Sequence, residues 1–527
     1  MTPSNRILLN AGATYAQTAC SLVLGLLCGR WVYLALGKDN YGLFSVVGAL
    51  ISFIGFVNST VILGAGRFFA FAIGVERKRD SEPDLLCKWI NVAFNVHIVL
   101  PFLLVCIGWP IGCRYVATGL VIDESLRTAA QVVFVCSLFT MFQTMAFGPV
   151  FALYTAKQLI FVRNLSGIVL SVFFAAEGWW LLHYSGDRLR AHAVLTCVIQ
   201  LIVNLALLAL AYRQFPEFRI RRRYWFDWKR MKEMCSFSLF SLIGALGPLF
   251  SNAGVAIVLN RFGGTALNAA YGASNHIYAK TGTISGAVTE AINPEITTRV
   301  GAGDKEAAER LARRECVWSS VLAACVCVPG ICFADQVLRL WLQTPPETAT
   351  LFLEIMLASI LTDRISSGYS TLIHANGQIR TYVLTVGLAN AARCFIVVFL
   401  LFVVKFSLST SLWLGWFLPF LVLNQVRIPF CKWLVGIGMG AYLSKVLLPV
   451  LGILFSSFLF CICVKGVLDN SLLMLLATGV LNAFWVFLFS LLFLPKEETS
   501  FFLSKLNMVN KKLFPPKPKG GTSRENL

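Results

Sequence analysis

The 527-residue chain is 57% hydrophobic and only 13% charged, and its mean hydropathy is +0.72. This composition excludes a soluble globular protein and indicates a chain that crosses a membrane many times. The net charge of +19 would suit nucleic acid, but the cations lie in short segments between apolar runs and so report membrane topology. The sixteen cysteines form no CxxC pair and are interpreted as small core residues. We expect no metal, no cofactor and no nucleic-acid partner.

Apolar runs of about 20 residues, the length needed to cross a bilayer core of about 30 Å, occur fourteen times. They lie at 10–36, 41–64, 89–109, 129–153, 161–182, 191–212, 236–259, 268–292, 316–333, 349–373, 381–404, 408–424, 441–464 and 471–494. The first run is too long for the core of a signal peptide, so we interpret it as the first membrane helix.

Lysine and arginine are distributed unevenly between the two sides of the predicted membrane. When alternate loops are assigned to opposite sides, 31 of the 45 Lys and Arg residues fall on the side of both termini and nine on the other. Because basic loops are retained in the cytoplasm, the sequence predicts cytoplasmic termini for a multi-pass protein of the plasma (inner) membrane.

The longest basic stretch, RIRRRYWFDWKR at 219–230, separates six predicted helices from eight. Its cations and aromatic rings are typical of an amphipathic segment on an anionic lipid surface. We predict an N-terminal six-helix lobe at 1–212, a basic cytoplasmic linker at 213–235 and a C-terminal six-helix lobe at 236–434. Two additional transmembrane helices occupy 435–494, and a flexible basic cytoplasmic tail occupies 495–527.

A weak internal repeat supports the division into two lobes. GRWVYLALGKDNYGLFSVVGA at 29–49 has the same design as VAIVLNRFGGTALNAAYGASN at 255–275: an apolar run, a short turn with glycine, and a run rich in small residues. Repeated halves are typical of transporters with a central site. The predicted fold is therefore all-α and polytopic, with about fourteen transmembrane helices in two pseudo-symmetric lobes around a central cavity.

Charged residues inside the predicted helices mark candidate functional positions, because lipid does not hydrate them and each must face protein or water. Arg30, Lys280, Arg364 and Arg393 are predicted to line the cavity and bind substrate. A fifth cation, Lys445, lies near the end of its helix. For each cation the alternative is an interhelical ion pair or an extended side chain that reaches the membrane interface.

A cationic lumen requires an anionic substrate, such as a phosphate or a carboxylate. An inside-negative membrane potential favours its outward movement by about 2.3 kcal/mol per charge per 100 mV. Among the intramembrane acids, Glu290 and Asp363 are candidates for coupling to a proton or sodium gradient. The histidines lack an HExxH spacing, no Walker loop is present, and the outer loops are short, so we predict that the protein is not an enzyme.

Several segments resemble the polysaccharide flippase branch of the MOP exporter superfamily, the Wzx-like O-antigen and capsule translocases. They are LALGKDNYGLFSVV (34–47), the charged loop after the second span, FDWKRMKEMCSFSLFSLIGAL (226–246), INPEITTRVGAGDKEAAER (292–310) and CKWLVGIGMGAYLSKVLLPVLG (431–452). The resemblance implies a MATE/MOP-like bundle that flips an undecaprenyl-diphosphate-linked oligosaccharide from the cytoplasmic to the outer leaflet by alternating access. It also implies a cationic lumen, which Arg30, Lys280, Arg364 and Arg393 match by residue type and span.

Three alternative functions stay open at this point. Fourteen spans instead of twelve also resemble the peptidoglycan lipid II flippases. A drug or cation exporter of the same superfamily would instead require an acidic lumen. A non-transport enzyme or scaffold of envelope polysaccharide assembly would require a buried cluster of acids and arginines at an outer-side loop.

Overall fold

The computed structural model describes residues 3–76, 84–376, 380–436, 438–465 and 472–494. Within these ranges the regular structure is helical and contains no β-strand, which confirms the predicted all-α class. Helices are the expected outcome for long apolar runs, because a backbone in lipid must satisfy its own hydrogen bonds. The predicted tail at 495–527 lies outside the described residues.

The helices follow one another with short connections. In chain order they are α1 (Pro3–Gly55), α2 (Asn58–Glu76), α3 (Leu85–Thr118), α4 (Arg127–Ala146), α5 (Gly148–Ala156), α6 (Ile160–His183), α7 (Arg188–Gln214), α8 (Arg222–Trp225), α9 (Trp228–Leu249), α10 (Val255–Gly301), α11 (Lys305–Cys332), α12 (Ala334–Leu342), α13 (Ala349–Arg364), α14 (Ser367–Ala375), α15 (Arg380–Val398), α16 (Leu408–Leu412), α17 (Leu418–Val435), α18 (Met439–Tyr442), α19 (Leu448–Lys465) and α20 (Leu472–Phe493). Each predicted apolar run falls on one of these helices or on consecutive helical segments. In the described chain, eleven helical segments are long and apolar enough to cross a membrane.

Two of the long helices are broken at glycines. In α1 the backbone leaves the helical region at Gly37, where φ is 75°. In α10 it does so at Gly263 and Gly264, and φ at Gly264 is 64°. Positive φ favours glycine, which has no Cβ to clash. Both breaks occur at the glycine turns predicted from the repeated segments 29–49 and 255–275.

Contacts between Cα atoms group the chain into two compact units. Among the described residues, the first unit comprises those within 1–282, 334–359 and 379–424, and the second comprises those within 283–333, 360–378 and 425–494. In the first unit α1 packs along α6 and α4, and α2 packs on α3, α5 and α9. In the second unit α11 packs on α14, α19 and α20. The predicted division into two six-helix lobes and two additional helices stays a prediction.

The basic segment after α7 is anchored to the first unit by buried side chains. Phe215 and Phe218 are buried in the same core cluster as residues of α2, α3 and α5. The Asn91 side chain donates to the Arg219 carbonyl oxygen (2.8 Å) and accepts from the Arg221 backbone N–H (2.7 Å). The next aromatic residues, Phe226 and Trp228, are 78% and 77% exposed. The segment is therefore fixed by its first half and presents rings beside its cations, as an interfacial segment requires.

Helices α1 and α10 approach each other closely at Gly42. A Cβ atom added there would overlap the carbonyl oxygen of Thr265. Glycine permits this approach because its backbone can come within reach of a neighbouring backbone without a side chain between them. The contact joins the two helices shortly after their glycine breaks.

Gly42→Ala should destabilise the protein by about 1–3 kcal/mol, the usual cost of overpacking a rigid contact. The measurement is the Tm of the purified protein in detergent. Gly48→Ala is the matched control, because it lies on the same helix and an added Cβ there meets no atom within 4 Å. Equal Tm values for the two variants would contradict the close approach.

Candidate functional site

The first unit has an open cavity of about 920 Å³, within the size range of ligand pockets. Its wall consists of hydroxyl and amide side chains interspersed with aromatic and small residues. The polar members are Ser45, Ser52, Asn58, Ser59, Ser137, Thr140, Thr144, Thr196, Asn252 and Asn275, and the aromatic members are Phe44, Phe56 and Tyr271. None of the described lining residues is charged. The cavity therefore offers neutral hydrogen-bonding groups in both donor and acceptor form.

Lys280 lies on the same helix as the cavity residue Asn275, about 7.5 Å further along α10. Its Nζ donates to Ser21 Oγ at 3.0 Å. A Cβ added at Gly25 would lie 2.8 Å from Nζ. The absence of a side chain at Gly25 therefore leaves room on α1 for the Lys280 side chain. No ion pair of Lys280 is found among the described residues.

Arg30 lies on α1 in the same region and also has no acidic partner in the described chain. Its Nη1 donates to the carbonyl oxygen of Leu340, on α12, at 2.8 Å. On α10, one turn before Lys280, His276 donates to the Gly25 carbonyl oxygen (2.9 Å) and stacks on Trp341 with ring centroids 5.8 Å apart. The structure thus places Arg30, His276 and Lys280 around one segment of α1. Arg30 and Lys280 are cations without an acidic partner in the described chain, and His276 adds an imidazole.

Arg393 has a different environment from Arg30 and Lys280. It is only 3% exposed, and its Nε donates to the Trp416 carbonyl oxygen at 2.8 Å. That acceptor lies in the π-helical turn Trp413–Phe417. The guanidinium carbon is 4.9 Å from the ring centre of Trp416 and 4.5 Å from that of Phe420. Carbonyl and ring contacts of this kind compensate a buried cation. The structure places Arg393 in this cage and not on the cavity wall, and its predicted binding role stays a prediction.

Arg364 and Asp363 belong to a charge cluster in the second unit. The Asp363 carboxylate pairs with Arg427 at 2.8 Å and more loosely with Arg364 at 3.7 Å. Arg364 Nη1 also donates to Thr289 Oγ1 at 3.4 Å. All three charged side chains are largely buried. The adjacent residues Asp363 and Arg364 therefore share one polar network, and their predicted roles in ion coupling and substrate binding stay predictions.

Three further charged residues of the predicted spans lie either at the surface or in an ion pair. Glu290, the other predicted coupling acid, is exposed, as is Lys445. Glu177 is buried and accepts from His192 Nδ1 at 2.7 Å and from Thr196 at 3.2 Å. Because Thr196 lines the cavity, the carboxylate of Glu177 lies behind the wall and is already paired.

Sequence reasoning missed Glu315 and Arg427. It placed both in cytoplasmic loops, at 293–315 and 425–440. The structure places them on α11 and α17, where Glu315 is 0% exposed and Arg427 pairs with Asp363. Helix α11 begins at Lys305, eleven residues before the predicted span, because charged helical residues do not register in a hydropathy window. The periodic small residues Ala307, Ala308 and Ala312 within KEAAERLARRE were a usable signal of helix.

Comparison with solved structures assigns the fold. The lipid II flippase MurJ in an inward closed conformation matches with a TM-score of 0.65 at 12% identity, covering 95% of this chain and 100% of that one. An inward-facing multidrug resistance MATE family transporter of the MOP superfamily matches with a TM-score of 0.62 at 14% identity, covering 79% and 94%. A MOP superfamily transporter from Pyrococcus furiosus, described as having a binding pocket of reverse polarity that suggests a different function, matches with a TM-score of 0.53 at 14% identity, covering 84% and 97%. The chain has the fold of MOP-superfamily membrane transporters.

Sequence comparison gives a more particular result for part of the chain. Residues 242–399 match the MatE family. Comparison with curated protein sequences gives no significant match. The family match and the fold together support the MOP superfamily, whose members named here are transporters and flippases and not enzymes.

Because Arg393 and Lys280 have different surroundings, replacing each with alanine should change the free energy of unfolding by different amounts. Arg393→Ala should lower the free energy of unfolding by about 2 kcal/mol or more, because it removes a charge-assisted hydrogen bond and two ring contacts from a buried site. Lys280→Ala should lower it by less than Arg393→Ala does, because the one hydrogen bond that is lost is offset by removal of an ammonium group that has no ion pair in the described chain. Thermal unfolding in detergent measures both, with the exposed Lys445→Ala as control. An Arg393→Ala protein as stable as wild type would contradict the cage.

Proposed function

We propose that this protein is a transporter that flips an undecaprenyl-diphosphate-linked oligosaccharide from the cytoplasmic to the outer leaflet of the plasma membrane, for cell-surface polysaccharide biosynthesis. The observation that supports this most is the uncharged polar cavity with two uncompensated cations on the helices that build it. A lipid-linked oligosaccharide combines the matching parts: a neutral, hydroxyl-rich glycan and an anionic diphosphate.

The cavity wall suits a glycan. A sugar presents hydroxyls that both donate and accept hydrogen bonds, and serine, threonine and asparagine side chains can do the same. Sugar hydroxyls lose water on entry, so each must find a partner to avoid the cost of a buried unsatisfied group, about 1–3 kcal/mol. The ten hydroxyl and amide residues of the wall supply such partners, and Phe44, Phe56 and Tyr271 supply apolar faces for the sugar rings.

Arg30 and Lys280 suit the diphosphate. Charge-assisted hydrogen bonds to phosphate are about twice as strong as neutral ones, and arginine can bind two phosphate oxygens at once. Both side chains bind only neutral oxygens of the described chain, at Leu340 and Ser21. A phosphate can therefore replace these partners without breaking an ion pair. In the second unit, Arg364 stays a proposed substrate-binding cation that would have to leave its 3.7 Å contact with Asp363, and Arg393 would have to leave its cage.

The transport direction agrees with the energetics of an anion. An inside-negative potential favours outward movement by about 2.3 kcal/mol per charge per 100 mV. Glu290 and Asp363 remain our proposed positions for coupling to a proton or sodium gradient.

Two related functions are weaker candidates. A drug or cation exporter would need acids on the cavity wall, whereas no described lining residue is acidic and Glu177, behind the wall, is paired with His192. A lipid II flippase would use the same diphosphate chemistry with a different glycan, and the similarity to MurJ favours it as the second candidate. The glycan that is transported distinguishes a lipid II flippase from the oligosaccharide flippase proposed above.

The test is complementation of a strain that lacks its own oligosaccharide flippase, with all proteins at equal membrane abundance. Wild type should restore surface polysaccharide, and Arg30→Ala and Lys280→Ala should each reduce it about tenfold or more, because a hydrogen bond to a charged group contributes about 1.5–3 kcal/mol. Asn275→Ala tests the glycan wall and should also reduce export. The exposed Lys445→Ala is the control and should retain wild-type export.

Full export by Arg30→Ala and Lys280→Ala would show that these cations do not bind the headgroup. Because glycan specificity alone could prevent complementation, the strains should include one that depends on lipid II flipping. Export of a cationic dye by wild type, without restoration in either strain, would favour the drug exporter.

A further inference from the structure

We propose that a groove in the first unit binds one phospholipid with an anionic headgroup, with an acyl chain in the groove and the phosphate beside Lys232. The groove lies between the start of α2, the middle of α3 and α9, and has a volume of about 430 Å³. It shares no described lining residue with the polar cavity, and neither Arg30 nor Lys280 lines it. The inference therefore does not depend on which substrate the protein transports.

The floor of the groove is the surface of the hydrophobic core of the first unit. Val61, Val96 and Met234 line the groove, are buried and belong to that core. Leu100 and Leu242 also line the groove and pack against the same core as partly buried residues. No described lining residue is acidic. Such a floor can contact an alkyl chain along its length, but it offers no hydrogen-bonding partner to a sugar or a peptide backbone.

The rim of the groove on α3 borders an exposed apolar surface. Val99 and Leu103 lie three residues beyond the groove residues Val96 and Leu100, and they are 42% and 51% exposed. Helix α3 is long and apolar enough to cross a membrane, so its exposed apolar side chains are expected to face lipid. An acyl chain can therefore enter the groove sideways from the bilayer without passing through water.

The length of the groove matches one leaflet of a bilayer. Its lining residues on α9 include Met231 and Leu242, and the helical rise between these two positions is about 16 Å. Half of the hydrocarbon core of a bilayer is about 15 Å thick. In the topology predicted from the distribution of lysine and arginine, α9 enters the membrane from the cytoplasmic side. The groove therefore suits an acyl chain of the cytoplasmic leaflet.

Trp228 and Lys232 lie at the end of the groove where α9 begins. They are one helical turn apart, both line the groove, and both are exposed. Lys232 forms no ion pair among the described residues, whereas its neighbour Arg230 is paired with Asp227. Glu233, the adjacent exposed acid, does not line the groove. A tryptophan and a lysine in this position suit the membrane interface, where the lysine can attract the phosphate of an anionic lipid.

The basic segment that leads into α9 favours an anionic headgroup over a zwitterionic one. Residues 219–236 contain seven lysines and arginines and two acids, and Arg222, Arg223 and Lys229 are exposed. Clusters of about 4–8 such cations beside a membrane helix are typical of sites that attract anionic lipids. The segment alone would enrich these lipids at the surface, whereas the groove gives one of them a fixed position.

Quenching of tryptophan fluorescence by brominated phospholipid tests the site, because bromine quenches an indole ring only at short range. The full-length protein is reconstituted in phosphatidylcholine bilayers and titrated with phosphatidylglycerol or phosphatidylcholine brominated near the headgroup end of one acyl chain. The Trp228 signal is the wild-type signal minus that of Trp228→Phe. Half-maximal quenching should need about fivefold less of the brominated phosphatidylglycerol, the ratio that corresponds to about 1 kcal/mol for one lysine near the membrane surface.

Two variants separate the cation from the groove, and each has a matched control. Lys232→Gln should abolish the preference for phosphatidylglycerol, whereas Lys445→Gln, which changes an exposed lysine outside the groove, should retain it. Ser236→Phe places a ring in the groove and should weaken quenching by both lipids and remove the preference. Because Ser236 is exposed, this ring needs no repacking of the core. Ser236→Ala should behave as wild type.

Three results would overturn the proposal. Equal half-maximal concentrations of the two brominated lipids in wild type would show contact with the surrounding bilayer only. A preference that survives Ser236→Phe would show that the basic segment attracts anionic lipid without using the groove. Unbrominated undecaprenyl phosphate tests the other lipid occupant. If it relieves quenching at a lower concentration than unbrominated phosphatidylglycerol does, the groove binds the polyprenyl chain of a substrate and not a phospholipid.

Discussion

The cost of a charge that is removed from water is the constraint on which this structure depends. Every buried charge must find a partner, and the described chain supplies partners of three kinds. Glu177 has an imidazole, Asp363 has a guanidinium, and Arg393 has a carbonyl oxygen and two aromatic rings. Arg30 and Lys280 have only neutral oxygens. The positions where compensation is incomplete are therefore where an anion would be bound most favourably.

The same constraint acts on the backbone and locates the breaks in the helices. Unpaired peptide groups are tolerated at membrane depth only where they are buried in protein or line a cavity. The glycine breaks of α1 and α10 are each followed by a stretch that lines the cavity of the first unit, from Phe44 on α1 and from Tyr271 on α10. The π-helical turn Trp413–Phe417 leaves a carbonyl oxygen for Arg393. The irregular backbone segments thus lie next to the cavity or accept a hydrogen bond from a buried cation.

The MOP fold by itself does not select a substrate, because solved structures with this fold include a lipid flippase and multidrug transporters. Selection depends on the polarity of the walls. Here the cavity wall is neutral and hydrogen-bonding, the uncompensated charges are positive, and the buried acid Glu177 is paired with His192. This combination supports the proposed glycan diphosphate over an organic cation as the substrate.

The sequence by itself determined the all-α class, the positions of the apolar helices and the glycine turns at Gly37 and Gly263, because hydropathy and backbone preference act within a few residues. It also made Arg30 and Lys280 candidates, since a cation in an apolar run is visible locally. Only the tertiary structure decided that Arg393 is caged while Lys280 has no ion pair in the described chain. It also decided that Glu315 and Arg427 lie on helices and not in loops, with Glu315 buried and Arg427 paired with Asp363. Their partners are distant in sequence: Trp416 lies 23 residues from Arg393, and Thr371 lies 56 residues from Glu315. No local pattern can specify such pairs, because burial and compensation arise when separate helices pack.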